Sequence, residues 1–305
     1  MTKIFGHLAP DTDATGSALI WEWFLHAQGD NTAKAYVLEV PNTEAQFVLK
    51  HWGFDQPDIL DGLAAGDDVV IVDTNNPGEL PENIAEANIT EIIDHHMLVG
   101  GLATKNPINI TIKPLASTAT IMAGMIAETD FDVPSNIKGL ILSCILSDTL
   151  EFRSPTTTDT DRELAAELAE DLNINIADYA AQMFAAKSDI SHFSDAELLR
   201  LDSKKYATGG TDFRVSVLET TSPGVVLGRK DNLMQSMADV AAEDGVDQVL
   251  LFVVDILQEQ ATLLVPNELV KTLAEKSFGV TVDGDTVVLP GIVSRKKQII
   301  PNLAV

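Results

Sequence analysis

Three short apolar runs in the N-terminal third of the chain each break off at a carboxylate or an imidazole, and this recurrence constrains the fold more than any other feature. Lys3-Ile4-Phe5-Gly6 leads into His7-Leu8-Ala9-Pro10-Asp11-Thr12-Asp13, Val69-Val70-Ile71-Val72 into Asp73, and Asn88-Ile89-Thr90-Glu91-Ile92-Ile93 into Asp94-His95-His96. Runs this short and this rich in β-branched residues read as buried strands. Strands that alternate with helical patterns imply right-handed βαβ crossovers and a mainly parallel sheet. The carboxyl rim of such a sheet is where α/β folds bind their ligands, so polar side chains gathered there are a candidate site.

The intervening segments fit this reading. Ala14 to Ala27 carries apolar residues on a wide helical face, Ala33 to Leu38 reads as a strand, and Thr43 to Trp52 as an amphipathic helix with Thr43 as N-cap and Gly53 closing it. Pro81 to Ala87 reads as a short helix, and Ser117 to Glu128, Ile137 to Leu146, Asp161 to Leu172 and Ile176 to Ala186 as longer ones. Beyond Lys187-Ser188-Asp189 strands cluster instead: Arg214 to Leu218, Val249 to Val254, Thr262 to Val265, and a hairpin around Asp283-Gly284. Helices near Asn232 to Glu243 and Asn267 to Ser277 sit among them. The expected organisation is an α/β N-terminal domain, residues 1–188, with helices flanking a mainly parallel sheet. A smaller α/β domain with a mixed sheet comes next, over residues 189–305.

The rim residues form a donor set. His7, Asp11 and Asp13 share one compact loop, where Pro10 restricts the backbone ahead of Asp11. Taken alone, Asp13 is equally suited to cap the helix that starts at Ala14. Asp73 alone reads as turn chemistry, and Asp148 as a loop residue following Ile137 to Leu146. Together they supply four carboxylates and two imidazoles, enough for two divalent ions about 3.5–4 Å apart that share one bridging Asp. Oxygen donors mixed with imidazoles suit a first-row divalent ion. Adjacent His95 and His96 must point to different sides of their loop, so one can ligate while the other acts as an acid or a phosphate contact, with Asp94 orienting a ring.

The formal net charge of −26 repels nucleic acid and small anions from most of the surface, so anion chemistry requires a local reversal of sign. Arg295-Lys296-Lys297 concentrates three of the 20 basic residues in one place. The single cysteine, Cys144, excludes an internal disulfide, fits a reducing cytosol, and reads as a small core residue. The apolar stretches are too short to span a bilayer, and no secretory leader is expected, which places the protein in the cytoplasm with no membrane partner.

Gly6-His7 through Asp13, Val72-Asp73, Asp94-His95-His96, Ser147-Asp148 and Ser294-Arg295-Lys296-Lys297-Gln298 together resemble the family II, manganese-dependent inorganic pyrophosphatases of the DHH phosphoesterase superfamily. The Asp-His-His triplet marks only the superfamily, and its combination with Ser-Arg-Lys-Lys-Gln is far more specific. The resemblance implies a metal-binding DHH domain followed by a substrate-binding, DHHA2-like domain, with the active site in the cleft between them. It implies two Mn²⁺ per subunit, one held by His7, Asp11 and Asp73, the other by Asp13, Asp73, His95 and Asp148, with Asp73 bridging. His96 then protonates the leaving phosphate, Arg295, Lys296 and Lys204 (or its neighbour Lys205) bind pyrophosphate, and a Mg²⁺ arrives with substrate. The family reaction is hydrolysis of pyrophosphate to two orthophosphates by a hydroxide held between the ions. A homodimer is also implied, for which the segment Ile108 to Ile112 is a candidate edge strand. Thr74 departs from relatives that carry histidine there.

Competing readings are an exopolyphosphatase or short-oligonucleotide phosphodiesterase of the same superfamily, and a non-catalytic metal- or nucleotide-binding regulator. Against the nucleases, Gly209-Gly210 is the nearest approach to their glycine-rich segment and has no nearby following histidine. Against the regulator, every expected ligand is present.

Overall fold

The computed structural model describes every residue except His192, Gly209 and Val305, so half of the Gly209-Gly210 pair lies outside the described residues. The chain divides into two compact units, Met1–Lys187 and Ser188–Val305.

In the first unit, β1 (Thr2–Phe5), α1 (Thr12–Ala27), β2 (Lys34–Val37), α2 (Thr43–Trp52), β3 (Asp58–Ile59), β4 (Asp68–Val72), β5 (Asn88–Asp94) and β6 (Asn109–Ile112) precede four helices. These are α3 (Thr118–Ile126), α4 (Ser135–Asp148), α5 (Asp159–Leu172) and α6 (Ile176–Lys187). All six strands pair in parallel, in the order β3-β2-β1-β4-β5-β6. The order reverses between β1 and β4, which makes the carboxyl ends of those strands the topological switch point of the sheet. β4 is buried along Val69, Val70, Ile71 and Val72, as a strand covered on both faces must be. Phe5, Val69, Ile71, Leu80, Ile84, Ile89 and Ile92 form one core cluster against it.

Two glycines allow the close packing this arrangement needs. A Cβ at Gly6 would lie 2.7 Å from Ala14 Cβ, and one at Gly16 would lie 2.4 Å from Cys144 Sγ. α1 therefore presses directly on α4 at Gly16, and Cys144 is a fully buried core residue whose thiol burial pushes well above its usual range.

Several local expectations shift. Asn42, not Thr43, caps α2 by accepting from Ala45 N, while Gly53 closes the helix in the left-handed conformation as expected. Residues 81–87 do not form an α-helix: they hold one 3₁₀ turn, Ile84–Glu86, and another precedes them at Pro77–Glu79. Asp148 is not a loop residue, since α4 continues through it to its last turn.

The second unit contains α7 (Asp195–Leu198), β7 (Ser203–Thr208), β8 (Thr211–Thr220), α8 (Pro223–Leu227), α9 (Lys230–Asp244), β9 (Gln248–Asp255), β10 (Gln260–Leu264), α10 (Glu268–Phe278), β11 (Thr286–Pro290) and α11 (Ile300–Asn302). Its sheet runs β11-β10-β9-β8-β7 and is mixed, with β8 and β9 parallel and the remaining pairs antiparallel. Alternate residues of β9 feed different cores. Leu250, Phe252 and Val254 pack with Val270, Leu273 and Ala274 of α10, whereas Val249, Leu251 and Val253 pack with Leu233, Met237 and Val240 of α9. Asp283-Gly284 does not turn a hairpin. It leads into β11, whose antiparallel partner is β10 on the far side of α10 in sequence.

Candidate metal centre

The centre is assembled where β1, β4 and β5 end side by side. His7 follows β1, Asp73 follows β4, and His95 and His96 follow β5. Asp11 and Asp13 come from the start of α1, and Asp148 from the end of α4. Asp11 is the N-cap of α1, accepting from Ala14 N at 3.0 Å. The capping role considered for Asp13 therefore falls to Asp11, and Asp13 lies one residue inside the helix, fully buried.

Potential ligand atoms fall into groups within 4.8 Å of one another: His7, Asp11 and Asp73; Asp13, His95 and Asp148; and Asp73, His95 and His96. His7 Nε2 lies 3.6 Å from Asp11 Oδ1 and 3.6 Å from Asp73 Oδ2. His95 Nε2 lies 3.4 Å from Asp73 Oδ1 and 3.8 Å from Asp148 Oδ2. These separations exceed hydrogen-bond length. Donors about 2.1 Å from a common ion and subtending about 90–120° stand about 3.0–3.6 Å apart, so the spacing suits donors that converge on a cation. Asp148 Oδ2 is buried with no N–H or hydroxyl donor directed at it, so its charge needs a cation or a proton shared with Asp13. The donor set thus fits divalent metal by atom type and by spacing, and the buried Asp148 oxygen without a donor agrees with it.

The histidines are held in usable tautomers. His7 Nδ1 faces Leu8 O at 2.6 Å and His95 Nδ1 faces Leu115 O at 3.1 Å, which leaves each Nε2 turned to the carboxylates. His96 is different. Its Nδ1 pairs with Asp94 Oδ1 at 2.8 Å, and the ring is half exposed, so its Nε2 is not committed to the cluster. Asp94 is itself fully buried, accepts also from His96 N, and takes a 2.6 Å bond from Asn75 Nδ2.

The carboxylates and imidazoles of the cluster shift one another's proton affinities. Burial acts to lower the pKa of His7, but Asp11 and Asp73 overcome it and raise it from 6.5 to about 11. Burial likewise opposes the His95 imidazolium, yet Asp73 and Asp13 raise it to about 9. Burial, then repulsion from Asp73, raises Asp13 from 3.8 to about 6. Burial and the neighbouring Asp13, Asp73 and Asp11 push Asp148 well above the usual carboxylate range. Asp73 moves the other way, because His7 and His95 together outweigh its burial.

Several contributors carry no signal in the sequence. Ser117 and Thr118, at the start of α3, and Ser17 on α1 donate to Asp13, and Thr118 also donates to Asp73. Glu44 is fully buried and accepts from Lys187 Nζ at 2.9 Å and, at 3.1 Å, from the Oγ of Ser147, the chain neighbour of Asp148. Asn75 reads as turn chemistry, yet it clamps Asp94 and also bonds Met97 O and Val99 N. Only partners remote in sequence reveal these roles. Thr74 is buried and donates to Glu79 Oε2 at 2.8 Å, outside the ligand groups.

The second unit holds a separate cationic pocket of about 540 Å³, lined by Lys204, Arg295 and Lys296 with Asp202, Tyr206, Glu219 and Ser294. Arg295 donates to the side chain and the backbone carbonyl of Asp202, at 2.7 and 2.8 Å. Gln298 staples the turn by accepting from Val293 N and Ser294 N and donating to Gly291 O, which explains its place beside the basic run. Strand alternation separates the two lysines of β7. Lys204 lines the pocket, whereas Lys205 Nζ is bonded to Asp244 O. Lys297 is exposed and outside the lining.

Comparison with known proteins places this geometry among relatives. Residues 2–147 match the N-terminal domain of the DHH family, and residues 181–304 match the DHHA2 domain. A Deinococcus radiodurans protein named a probable manganese-dependent inorganic pyrophosphatase is 40% identical over 99% of this chain and 98% of its own. A Lactobacillus acidophilus protein of the same name is 35% identical over 98% and 96%. The crystal structure of a Methanococcus jannaschii protein assigned to family II inorganic pyrophosphatase superposes with a TM-score of 0.62 at 32% identity, covering 99% of this chain and 98% of that one.

Proposed function

Because the chain belongs to the manganese-dependent, family II inorganic pyrophosphatases, we propose that it hydrolyses inorganic pyrophosphate to two orthophosphates. The observation that carries the reading is the split use of Asp73, whose Oδ2 faces His7 while its Oδ1 faces His95. One carboxylate serving two ligand groups is the requirement of a two-metal site. In this reading His7, Asp11 and Asp73 hold one Mn²⁺, and Asp13, Asp73, His95 and Asp148 hold the other. When bound, the ion pair supplies Lewis acidity and lowers the pKa of an attacking water towards neutrality.

The remaining work falls to the chain itself. Asp94 fixes the His96 ring through Nδ1, which leaves Nε2 to protonate the departing phosphate. Arg295 grips phosphate oxygens through the donors not committed to Asp202, and Lys204 and Lys296 add point charges. These cations reverse the sign that the −26 net charge would otherwise present to a tetra-anion accompanied by Mg²⁺. The protein acts in the cytoplasm as a homodimer, without nucleic acid or membrane partners. β6 lies at the edge of its sheet and offers unpaired backbone to a second copy, and no helix among the described residues is long and apolar enough to cross a membrane.

The test is phosphate release from pyrophosphate, tripolyphosphate and a dinucleotide, using metal-stripped protein with Mn²⁺ or Mg²⁺ restored. Pyrophosphate should be cleaved fastest, and most strongly with Mn²⁺. Preference for tripolyphosphate or the dinucleotide would transfer the assignment to another branch of the superfamily.

A further inference from the structure

The geometry assigns to Thr118 a positioning role that no ligand motif includes: through two different groups it holds the carboxylates of Asp13 and Asp73, and so ties the two metal positions together. The inference rests on the two-metal reading of the centre. Thr118 N donates to Asp13 Oδ2 at 2.7 Å, and Thr118 Oγ1 donates to Asp73 Oδ1 at 2.9 Å. Asp13 belongs to the ligand group of His95 and Asp148, and Asp73 to that of His7 and Asp11. Thr118, Asp13 and Asp73 are all buried to within about one per cent of full burial.

The kind of donor matters. Asp13 Oδ1 also accepts from Ser117 Oγ at 2.9 Å, Ala119 N at 3.2 Å and Ser17 Oγ at 3.2 Å. Each of these groups is a neutral amide or hydroxyl. A lysine or arginine here would satisfy the buried carboxylate but would compete with a metal for its charge. Neutral donors offset the carboxylate's desolvation and fix its orientation while leaving the full negative charge for an ion.

The backbone of Asp73 is fixed independently of Thr118. Its φ is +58°, a left-handed conformation that Asp tolerates better than most side chains, and its amide is committed to Ile93 O at 2.9 Å. The backbone thus sets where Asp73 starts, and the Thr118 hydroxyl fixes which way one of its oxygens faces. Thr118 is in turn immobilised from both sides by Asp161, a fully buried carboxylate. Asp161 accepts from Ala116 N at 3.2 Å and from Thr120 Oγ1 at 2.7 Å, and is anchored to the start of α5 by Thr158 N at 2.9 Å and Thr158 Oγ1 at 2.6 Å. The residues two before and two after Thr118 are therefore pinned to one rigid helix end.

The experiment is Mn²⁺ titration of the metal-stripped full-length protein in competition with a fluorescent chelator, for wild type, Thr118→Val, Thr118→Ala and Thr118→Ser. Thermal unfolding of each metal-free protein is followed in parallel. Valine keeps the shape but removes the hydroxyl, alanine removes it without pressing a methyl on Asp73, and serine restores it. Valine and alanine should weaken Mn²⁺ binding by about 10–100-fold, while serine stays within about threefold of wild type. Wild-type affinity in both hydroxyl-free variants, with only their metal-free melting temperature lowered, would overturn the inference and leave the metal centre standing. Should the valine variant fail to fold, the alanine and serine pair decides in the same way. Fewer than two ions bound by wild type would instead overturn the metal-centre reading, and the inference with it.

Discussion

Adding Mn²⁺ to the metal-free protein should expel protons, and their number can be worked out from the cluster. His7 at about 11 and His95 at about 9 both carry a ring proton near neutrality. Each ring can ligate only through a free Nε2 lone pair, so each must lose that proton. Asp148, pushed well above the usual carboxylate range by burial and by Asp13, Asp73 and Asp11, also favours a proton that an ion opposes. At about pH 7.5 full loading should therefore release about two protons from the rings. The apparent binding constant for the loaded centre should rise by about 100-fold per pH unit, easing to about tenfold above about pH 9, where His95 no longer competes and His7 still does. Raising pH helps binding because the competing proton becomes scarce. Isothermal titration in buffers of different ionisation enthalpy counts the protons directly, and chelator competition between about pH 6.5 and 9.5 gives the slope. A proton count near zero with a flat pH profile would refute this reasoning, since His7 and His95 would then be either neutral before binding or absent from the coordination.

The same shifts make the metal-free fold pH-sensitive. Raised histidines stabilise it below their usual 6.5, a contribution lost as pH climbs through about 9 and then about 11, and raised Asp13 adds a penalty as pH passes from 3.8 through about 6. Denaturant unfolding should show the metal-free protein weaker at about pH 9 than at about pH 6, with Mn²⁺ closing the gap. Asp73→Asn should lose metal from both groups and abolish turnover, read by metal analysis together with phosphate release. His96→Gln should retain metal yet cut kcat by about 10²–10⁴-fold. Arg295→Ala should weaken substrate binding strongly and Lys297→Ala little, because Lys297 lies outside the pocket lining; equal losses in KM would contradict that. Gly139→Ala would set a Cβ 2.2 Å from Cδ2 of the half-buried Trp52 ring, and the overpacking should cost about 1–3 kcal/mol and lower the melting temperature without changing metal content.

The candidate ligands are legible because strand ends announce themselves. An apolar run that stops at His7, Asp73 or His95 needs no partner to be recognised, and the period of the surrounding elements already implies a parallel sheet. Asp148 was found as a residue but misplaced in a loop, because nothing local distinguishes the last turn of α4 from the turn residues after it. The expected hairpin at Asp283-Gly284 failed for a similar reason. A turn dipeptide specifies a reversal of the chain but not the strand that will pair with it, and β10 lies across a whole helix.

Sequence by itself therefore determined the kinds of donor present, their order along the chain, and the α/β class that gathers them at one rim. Tertiary structure alone decided which atoms face which. The split of Asp73 between His7 and His95, the neutral donors from Thr118 on two carboxylates, the buried Glu44 against Lys187, and the choice of Lys204 over Lys205 for the pocket all depend on contacts between distant positions. The physical reason is one of range. Backbone periodicity and side-chain chemistry are properties of neighbouring residues, whereas the orientation of a buried carboxylate is set by whichever donors the fold brings within hydrogen-bond distance.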